Sequence, residues 1–407
     1  MNSIPKGYKK TEVGVIPDDW EIKKLGDFSS FQNGIGFPIR YQGKQNGDLP
    51  FCKVSDMNLV GNEVYITRSN NYISYEEACI MNAPIVPHNS IIFAKVGAAL
   101  LLNRRRIAKC KICVDNNMMA LILDKCVNLY FIYQKLITID FADYAQEGAL
   151  PSINSSQISK ISIAVPPLPE QKAIAEVLSD MDALIEAQKE LIAKKRDIKQ
   201  GAMQELLSGR VRLPGYETKG WKHTDIGDIP DDWEVKELGN ISDLYQPKTI
   251  SQNEMHDSGP YLVYGANGII GRYHRYNHKE SEIIITCRGN TCGTINLSSP
   301  YAWITGNAMV VSIRNKESID AKFILYFLKY TSQILEAITG GAQPQITREP
   351  LKKLWIYCPG FFEQKAIAEV LSDMDDEIEN LEAELEKLNY MKRGMMQELL
   401  TGRIRLV

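Results

Sequence analysis

The sequence predicts an α+β chain of two pseudo-symmetric halves, each a mixed α/β domain followed by a long helix, the two helices pairing as an antiparallel coiled coil. Three observations carry that prediction. Near-identical blocks recur along the 407 residues, apolar residues downstream of them fall at spacings of three and four, and the stretches between hold short Ile- and Val-rich runs.

The recurrence comes first, because an internal repeat governs every later assignment. Glu170 to Asp182 reads EQKAIAEVLSDMD, and Glu363 to Asp375 reads the same thirteen letters 193 residues later. MQELLSGRVRL from Met203 is answered by MQELLTGRIRL from Met396, and IPDDWEIKKLG from Ile16 by IPDDWEVKELG from Ile229, here 213 residues apart. What lies between the blocks differs strongly between copies. Constant frames around two different inserts suggest a scaffold presenting two different recognition surfaces. The expected segments are 1–168 (first frame and insert), 169–212 (central helix), 213–361 (second frame and insert) and 362–407 (distal helix).

Each element follows from local pattern. In the first insert SIIFAKVGAALLL from Ser90, KCKICV from Lys109 and MMALIL from Met118 have strand character, as do EIIITC from Glu282 and AMVVSI from Ala308 in the second. NLYFIYQKLI from Asn128 and AKFILYFLKY from Ala321 read as short helices among them. GALPSI from Gly148 matches GAQPQI from Gly341 at the offset of 193, and VGAAL from Val96 sits opposite RGNTCG from Arg288 at about 192. The change of offset places some 20 extra residues in the first insert, upstream of these points. The long helices show apolar stripes: Ile174, Val177, Leu178, Met181, Leu184, Ile185, Leu191, Ile192 and Ile198 in one, Ile367, Val370, Leu371, Met374, Ile378, Leu381, Leu385 and Leu388 in the other. Pro169 before Glu170 suits a helix start, and Gly209 and Gly402 suit left-handed caps. At about 1.5 Å per residue, roughly 38 residues give a rod on the order of 57 Å, whose stripe must be buried against a partner helix.

Composition narrows the class. Apolar content of 44% and charged content of 24% are ordinary for a globular protein. No run of about 18 apolar residues suggests a membrane span, the N-terminus lacks a signal-peptide core, and the eight cysteines show no disulfide framework. A cytoplasmic protein with reduced thiols is expected. The net charge of −3 hides a partition: Glu363 to Leu400 carries eleven acidic and four basic residues, whereas Phe28 to Gly148 carries twelve basic against ten acidic. Charge permits DNA binding without demonstrating it.

Catalytic patterns are absent from the sequence. There is neither a [DNS]PP[YFW] loop nor a Gly-rich methyl-donor turn, and GFPIRYQGKQ from Gly36 lacks the spacing and the Ser or Thr of a phosphate loop. Pro17-Asp18 with Glu21 and Lys23 has the letters of a nuclease site but reads as a turn packing Trp20. Cys110-x-x-Cys113 has no second ligand pair, and His274 with His278 no third ligand. No cofactor, no metal and no catalysis are expected.

With its duplicated IPDDW frame, variable insert, GAxPxI, EQKAIAEVLSDMD helix and MQELL[ST]GR end, the chain closely resembles, over essentially its whole length, the specificity subunit of type I restriction-modification systems. The resemblance implies that each insert is a target recognition domain for one half of a split, asymmetric double-stranded DNA site. It implies that the helices space the two domains and dock two modification (methyltransferase) subunits and, through the complex, ATP-dependent restriction subunits. An adaptor whose globules bind protein is the alternative.

Candidate DNA contacts follow from donor-rich clusters. In the first insert Arg104, Arg105 and Arg106 with Lys109 and Lys111 read as a phosphate clamp rather than a plain charged turn, and Lys53 and Ser55 follow a strand-like run. In the second, Asn267, Arg272, Tyr273, His274, Arg275, Tyr276 and Asn277 mix guanidinium, amide and aromatic groups. Arg288, Asn290 and Thr291 lie in a Gly-bounded turn, and Gln343 and Gln345, like Ser152 and Asn154 in the first copy, precede the return to the helix. A solvated hairpin or a loop-fixing role is the competing reading for each.

Overall fold

Two long helices are the longest elements of the chain: α1, Leu168–Leu207, and α2, Phe361–Leu399. Both follow one heptad rule. Ile174, Leu178, Ile185 and Ile192 of α1 are buried, and 193 residues on Ile367, Leu371 and Ile378 of α2 are buried with Leu385 partly so. Spacings of four and then seven residues make a narrow coiled-coil seam. Leu184, Leu191 and Ile198, expected in the stripe, are 49%, 38% and 47% exposed. They sit one residue before the seam positions Ile185, Ile192 and Lys199, on the flank that a partner helix leaves open.

The computed structural model describes residues 4–146, 150–217, 220–256, 258–265, 268–340 and 343–406. Packing divides the chain into two units, Met1–Gln188 with Glu384–Val407, and Lys189–Ala383. The division falls inside both long helices, rather than at their starts as the segmentation by sequence places it. In each unit the helix segments run antiparallel. In unit 1 Lys392 meets Asp182 at 2.6 Å and Gln188 meets Glu384 at 3.3 Å; in unit 2 Lys195 meets Glu377 at 2.6 Å and Lys199 pairs with Asp375.

The inserts share one sheet plan. Unit 1 holds β1 (Ser29–Asn33), β2 (Tyr65–Ile66), β3 (Ile91–Ala94), β4 (Arg105–Ala108) and β5 (Met118–Leu123), ordered β1-β5-β3-β4-β2. Unit 2 holds β6 (Ser242–Tyr245), β7 (Ile283–Thr286), β8 (Ile295–Leu297) and β9 (Ala308–Ile313), ordered β6-β9-β7-β8. The first four strands of one order match the other, and β2 is an additional edge. Each unit adds a small sheet in which Leu49–Cys52 pairs parallel with Cys113–Val114, or Tyr261–Gly265 with Trp303–Ile304. The extra residues of the first insert belong to the excursion between Leu49–Cys52 and Tyr72–Ile73, where unit 2 turns back within a few residues. Buried Asp56 organises that excursion, accepting from Lys53 N at 2.8 Å, Ser69 Oγ at 3.0 Å and Asn70 Nδ2 at 2.9 Å.

The repeated blocks meet in one buried knot per unit. In unit 1 Trp20 donates its indole N–H to Glu170 at 3.0 Å, and Arg405 forks onto Glu170 at 2.5 and 2.7 Å and onto Asp19 at 3.0 and 2.8 Å. In unit 2 Trp233 donates to Glu363 at 3.1 Å, and Arg212 forks onto Glu363 at 2.5 and 2.8 Å and onto Asp232 at 3.0 and 2.8 Å. Gly209 (φ +74°) and Gly402 (φ +73°) cap α1 and α2 and press against these knots. A Cβ there would lie 2.6 Å from Pro230 or Pro17, so the left-handed turn and the close approach both require glycine. The second letter of the thirteen is equally fixed: Gln171 accepts from Asn128 N at 2.8 Å and Gln364 from Asp320 N at 2.9 Å. Asn128 and Asp320 in turn N-cap the helices Leu129–Ile137 and Ala321–Tyr330. The first unit closes its knot between the two ends of the chain, the second between segments that follow one another.

The arginine forks hold Asp19 and Asp232 below the usual carboxylate range, the hydrogen bond from Arg405 or Arg212 being the largest cause. A depressed carboxylate stabilises the fold fully above its unfolded value of about 3.9 and loses that contribution as pH falls through the lower folded value. Denaturation midpoints measured from about pH 5 downward should fall, and less steeply in an Asp19→Asn/Asp232→Asn protein. Equal slopes would remove this assignment.

Candidate nucleic-acid interface

The residues nominated from sequence separate sharply by environment. In unit 2, β7 ends at Thr286 and the chain turns through Cys287, Arg288 and Gly289 (φ +84°) into Asn290. Backbone bonds pin this turn to the segment before α2: Gly289 N donates to Pro344 O at 3.2 Å and Ile346 N to Cys287 O at 2.9 Å. Arg288, Gly289 and Asn290 thus face Gln343, Pro344 and Gln345 across a cleft of about 640 Å³. A second recess of about 410 Å³ adjoins it, lined among others by Tyr245, Gln246, Arg288, Gln345 and Arg348. Among the described residues, none lining either recess is acidic. Two guanidiniums and a group of amides therefore converge from three separate segments, with Arg288, Asn290, Gln343 and Gln345 all exposed. Thr291 is half-buried in the turn. Gln246, Tyr245 and Arg348 are not marked by any sequence motif; Gln246 directly follows β6, which comes after a repeated frame, and that position is its only signal.

Unit 1 repeats the backbone arrangement with different side chains. Gly97 N donates to Pro151 O at 2.8 Å and Ile153 N to Lys95 O at 3.0 Å, the counterparts of the two unit 2 bonds. The bridge between Val96 and Ser152 corresponds to that between Arg288 and Gln345. Lys95 Nζ donates to Asn33 Oδ1 at 2.7 Å, and the Cys287–Gln246 side-chain contact occupies the same place in unit 2. Asn154 is spent on capping, accepting from Gln157 N at 3.0 Å.

Several nominations are corrected. Arg105 is fully buried on β4, its guanidinium 3.9 Å from the Phe141 ring centroid and donating to the Asn103 and Ile139 carbonyls at 2.6 and 2.8 Å. Burial pushes it down to about 10. Arg106 donates to the carbonyls of Arg105 at 2.7 Å and Met57 at 3.0 Å, and Arg104 holds the Asn58 side chain. The three arginines alternate along or beside a strand, so they do not make one clamp. Lys109 and Lys111 remain exposed beside it. Tyr273 is 8% exposed and packs edge-on against Trp303 in a small core, so it is not a surface wedge. Asn277 holds Ile304 through both ends of its amide, at 2.9 and 2.8 Å, stapling a loop. Arg272, His274, Arg275 and Tyr276 are exposed, as is Ser55. Lys53 is half-buried and donates to Gln42 Oε1 at 2.6 Å. Asn267 lies outside the described residues.

Known proteins resemble this chain over most of its length. The family model described as the type I restriction modification DNA specificity domain matches residues 17–194 and again 230–390. The specificity subunit of the type I restriction enzyme MjaX from Methanocaldococcus jannaschii is 31% identical over 98% of this chain and 97% of its own length. The MjaVIII specificity subunit of the same organism is 26% identical over 98% and 96%. Among solved structures, the type I S subunit from Mycoplasma genitalium superposes with a TM-score of 0.64 at 17% identity, covering 93% of this chain and 96% of that one. A chain from a type I restriction-modification assembly gives a TM-score of 0.53 at 14% identity over 96% and 99%. The two matches of the family model and the full-length relatives place this chain in the type I restriction-modification DNA specificity family, as a DNA-sequence-recognition subunit.

Proposed function

We propose that the Arg288–Gln345 cleft of unit 2 reads the bases of one half of a bipartite DNA site, and that unit 1 reads the other half. The chain is a specificity subunit and non-catalytic; methyl transfer and cleavage belong to other subunits of the complex. The observation that carries the reading is the convergence of Arg288, Asn290, Gln343 and Gln345 on one acid-free cleft. A guanidinium fork matches guanine O6 and N7, and a carboxamide matches adenine N6 and N7 in the major groove. Lys109 and Lys111 in unit 1, and His274, Arg275 and Tyr276 in unit 2, are exposed and suited to the phosphate backbone, which fixes register without reading sequence. In this reading residues 1–168 and 213–361 carry the two recognition domains. The long helices dock two modification subunits, the restriction subunits join through the complex, and the assembly works in the cytoplasm. No helix of the described residues is long and apolar enough to cross a membrane.

Arg288→Ala tests the cleft. In the complex with modification subunits, competition among duplexes varied base by base should show a loss of about 1–3 kcal/mol of discrimination at one position of one half-site. A uniform loss on all sequences, with the salt slope reduced by about one, would make Arg288 a phosphate contact instead. Unchanged selection would overturn the cleft.

A further inference from the structure

Unit 1 repeats the backbone that frames the unit 2 cleft but carries different chemistry on it. Offsets of 192 and 193 put Val96 where unit 2 has Arg288, Ala98 where it has Asn290, Leu150 where it has Gln343 and Ser152 where it has Gln345. The shared backbone bonds and bridges show that these correspondences are spatial and not only alphabetical. Three of the four polar positions have become apolar, with Leu150 63% exposed. Unit 1 therefore has no reader where unit 2 has its arginine.

Two polar groups stand one step deeper. Lys95 follows the end of β3 at the position of Cys287, and Asn33 ends β1 at the position of Gln246. β5 runs between those strands, so the Lys95–Asn33 bond spans it. Asn33 is exposed and Lys95 half-exposed, and the turn that carries Arg288 in unit 2 is here only Val96, Gly97 and Ala98. The hydrogen-bond chemistry of the pair is one-sided. An ammonium can only donate, so the Asn33 oxygen faces Lys95 and its amide N–H groups face away. With the Asn33 oxygen turned to Lys95, the pair presents its donors outward.

We infer that Lys95 and Asn33 are the specificity-determining pair of unit 1, and that they select guanine through its O6 and N7 acceptors. This rests on the reading of the unit 2 cleft, since the equivalence is drawn from it. A pair that presents donors outward discriminates against adenine and cytosine, whose major-groove edges present an amino donor, and against thymine, which offers a single acceptor beside a methyl group. The flanking Val96, Ala98 and Leu150 leave no competing donor of their own and suit a thymine methyl at a neighbouring position. The two half-sites differ because the same scaffold reads one with a forward arginine and amides, the other with a recessed lysine and a clamped amide.

The test uses the complex of the full chain with modification subunits and a pool of duplexes randomised across both half-sites. Lys95→Met should lower the preference for guanine over adenine roughly tenfold or more at one position of one half-site. The other half-site and the binding of unrelated sequence should stay unchanged. Lys95→Arg should retain guanine at that position, and Asn33→Asp, which replaces donors by acceptors, should lose it. Overturning results are an unchanged motif, or a weakening equal on all sequences in a variant whose thermal melt is unaltered. An Arg288→Ala protein is run beside them. If it alters one half-site while Lys95→Met alters none, the unit 1 assignment fails alone; if neither alters any, the cleft reading fails with it.

Discussion

Replacing Arg212 by alanine should destabilise the protein by about 3–5 kcal/mol, the range for breaking a buried ion pair from one side. The Arg212 side chain is 6% exposed and that of Glu363 2%, so removing the guanidinium strands a carboxylate in the core with the Trp233 indole still bonded to it. Arg405→Ala should cost less, because the Arg405 side chain is 30% exposed and water can reach the space it leaves. Lysine will not rescue either site well: one fork serves both Glu363 and Asp232, which a single ammonium does not reproduce. Adding Glu363→Gln to Arg212→Ala should recover part of the loss, since a neutral amide is cheaper to leave in the core. Urea denaturation with near-constant slope gives the comparison. A loss below about 1 kcal/mol for Arg212→Ala would mean the pair behaves as a surface salt bridge and anchors nothing.

These knots explain why the frame was legible in the sequence. Glu170, Gln171, Trp20 and Gly402, with their counterparts Glu363, Gln364, Trp233 and Gly209, each pack against or bond a specific partner in the fold, which is why both copies carry them. The strands and short helices of the inserts were legible for a related reason: β7, β9 and the helix Ala321–Tyr330 are buried runs bounded by turn or capping residues. Periodicity misleads where one spacing serves two purposes. Leu184, Leu191 and Ile198 recur every seven residues like seam positions, and only the partner helix decides which of two adjacent heptad columns faces inward. Arg104, Arg105 and Arg106 failed differently. Three consecutive cations look like one patch, but strand alternation turns the middle one into the core, where Phe141 and two carbonyls satisfy it.

The residues of the proposed cleft stand out in the sequence of unit 2, and those proposed for unit 1 hardly do. Arg288 and Asn290, Gln343 and Gln345 are polar residues in Gly- or Pro-bounded loops, a pattern that sequence supplies; that the two loops face each other is supplied by the Gly289–Pro344 bond. Lys95 and Asn33 carry no such pattern. Lys95 follows an apolar strand and Asn33 ends one, and what joins them is the order β1-β5-β3. Their pairing is a product of topology, visible once the two units are laid over each other.

Trp20 and Trp233, the largest fully buried side chains among the described residues, supply the second large effect. Trp233→Ala should cost about 3–5 kcal/mol through lost burial and the cavity left behind. The Trp233 ring lies in a core with Leu207, Ile229, Leu238 and Leu371, under the cap at Gly209, where closure around a void is resisted from several elements. Trp233→Phe keeps most of the ring but removes the N–H donated to Glu363, and should cost about 1–3 kcal/mol. Combined with Arg212→Ala it should deviate from additivity, because both side chains bind the same carboxylate. Thermal melts of the two single variants and the double variant measure this, and strict additivity would show that the two contacts act separately. The same substitution at Trp20 should have a similar cost, since Trp20 donates to Glu170, which Arg405 also binds, and lies against Gly402. In the proposed reading the frame supports the unit 2 cleft without contacting DNA bases. A folded Trp233→Phe protein should therefore select the same two half-sites as the parent, at reduced stability. A changed half-site would place this tryptophan within the reading machinery and not only beneath it.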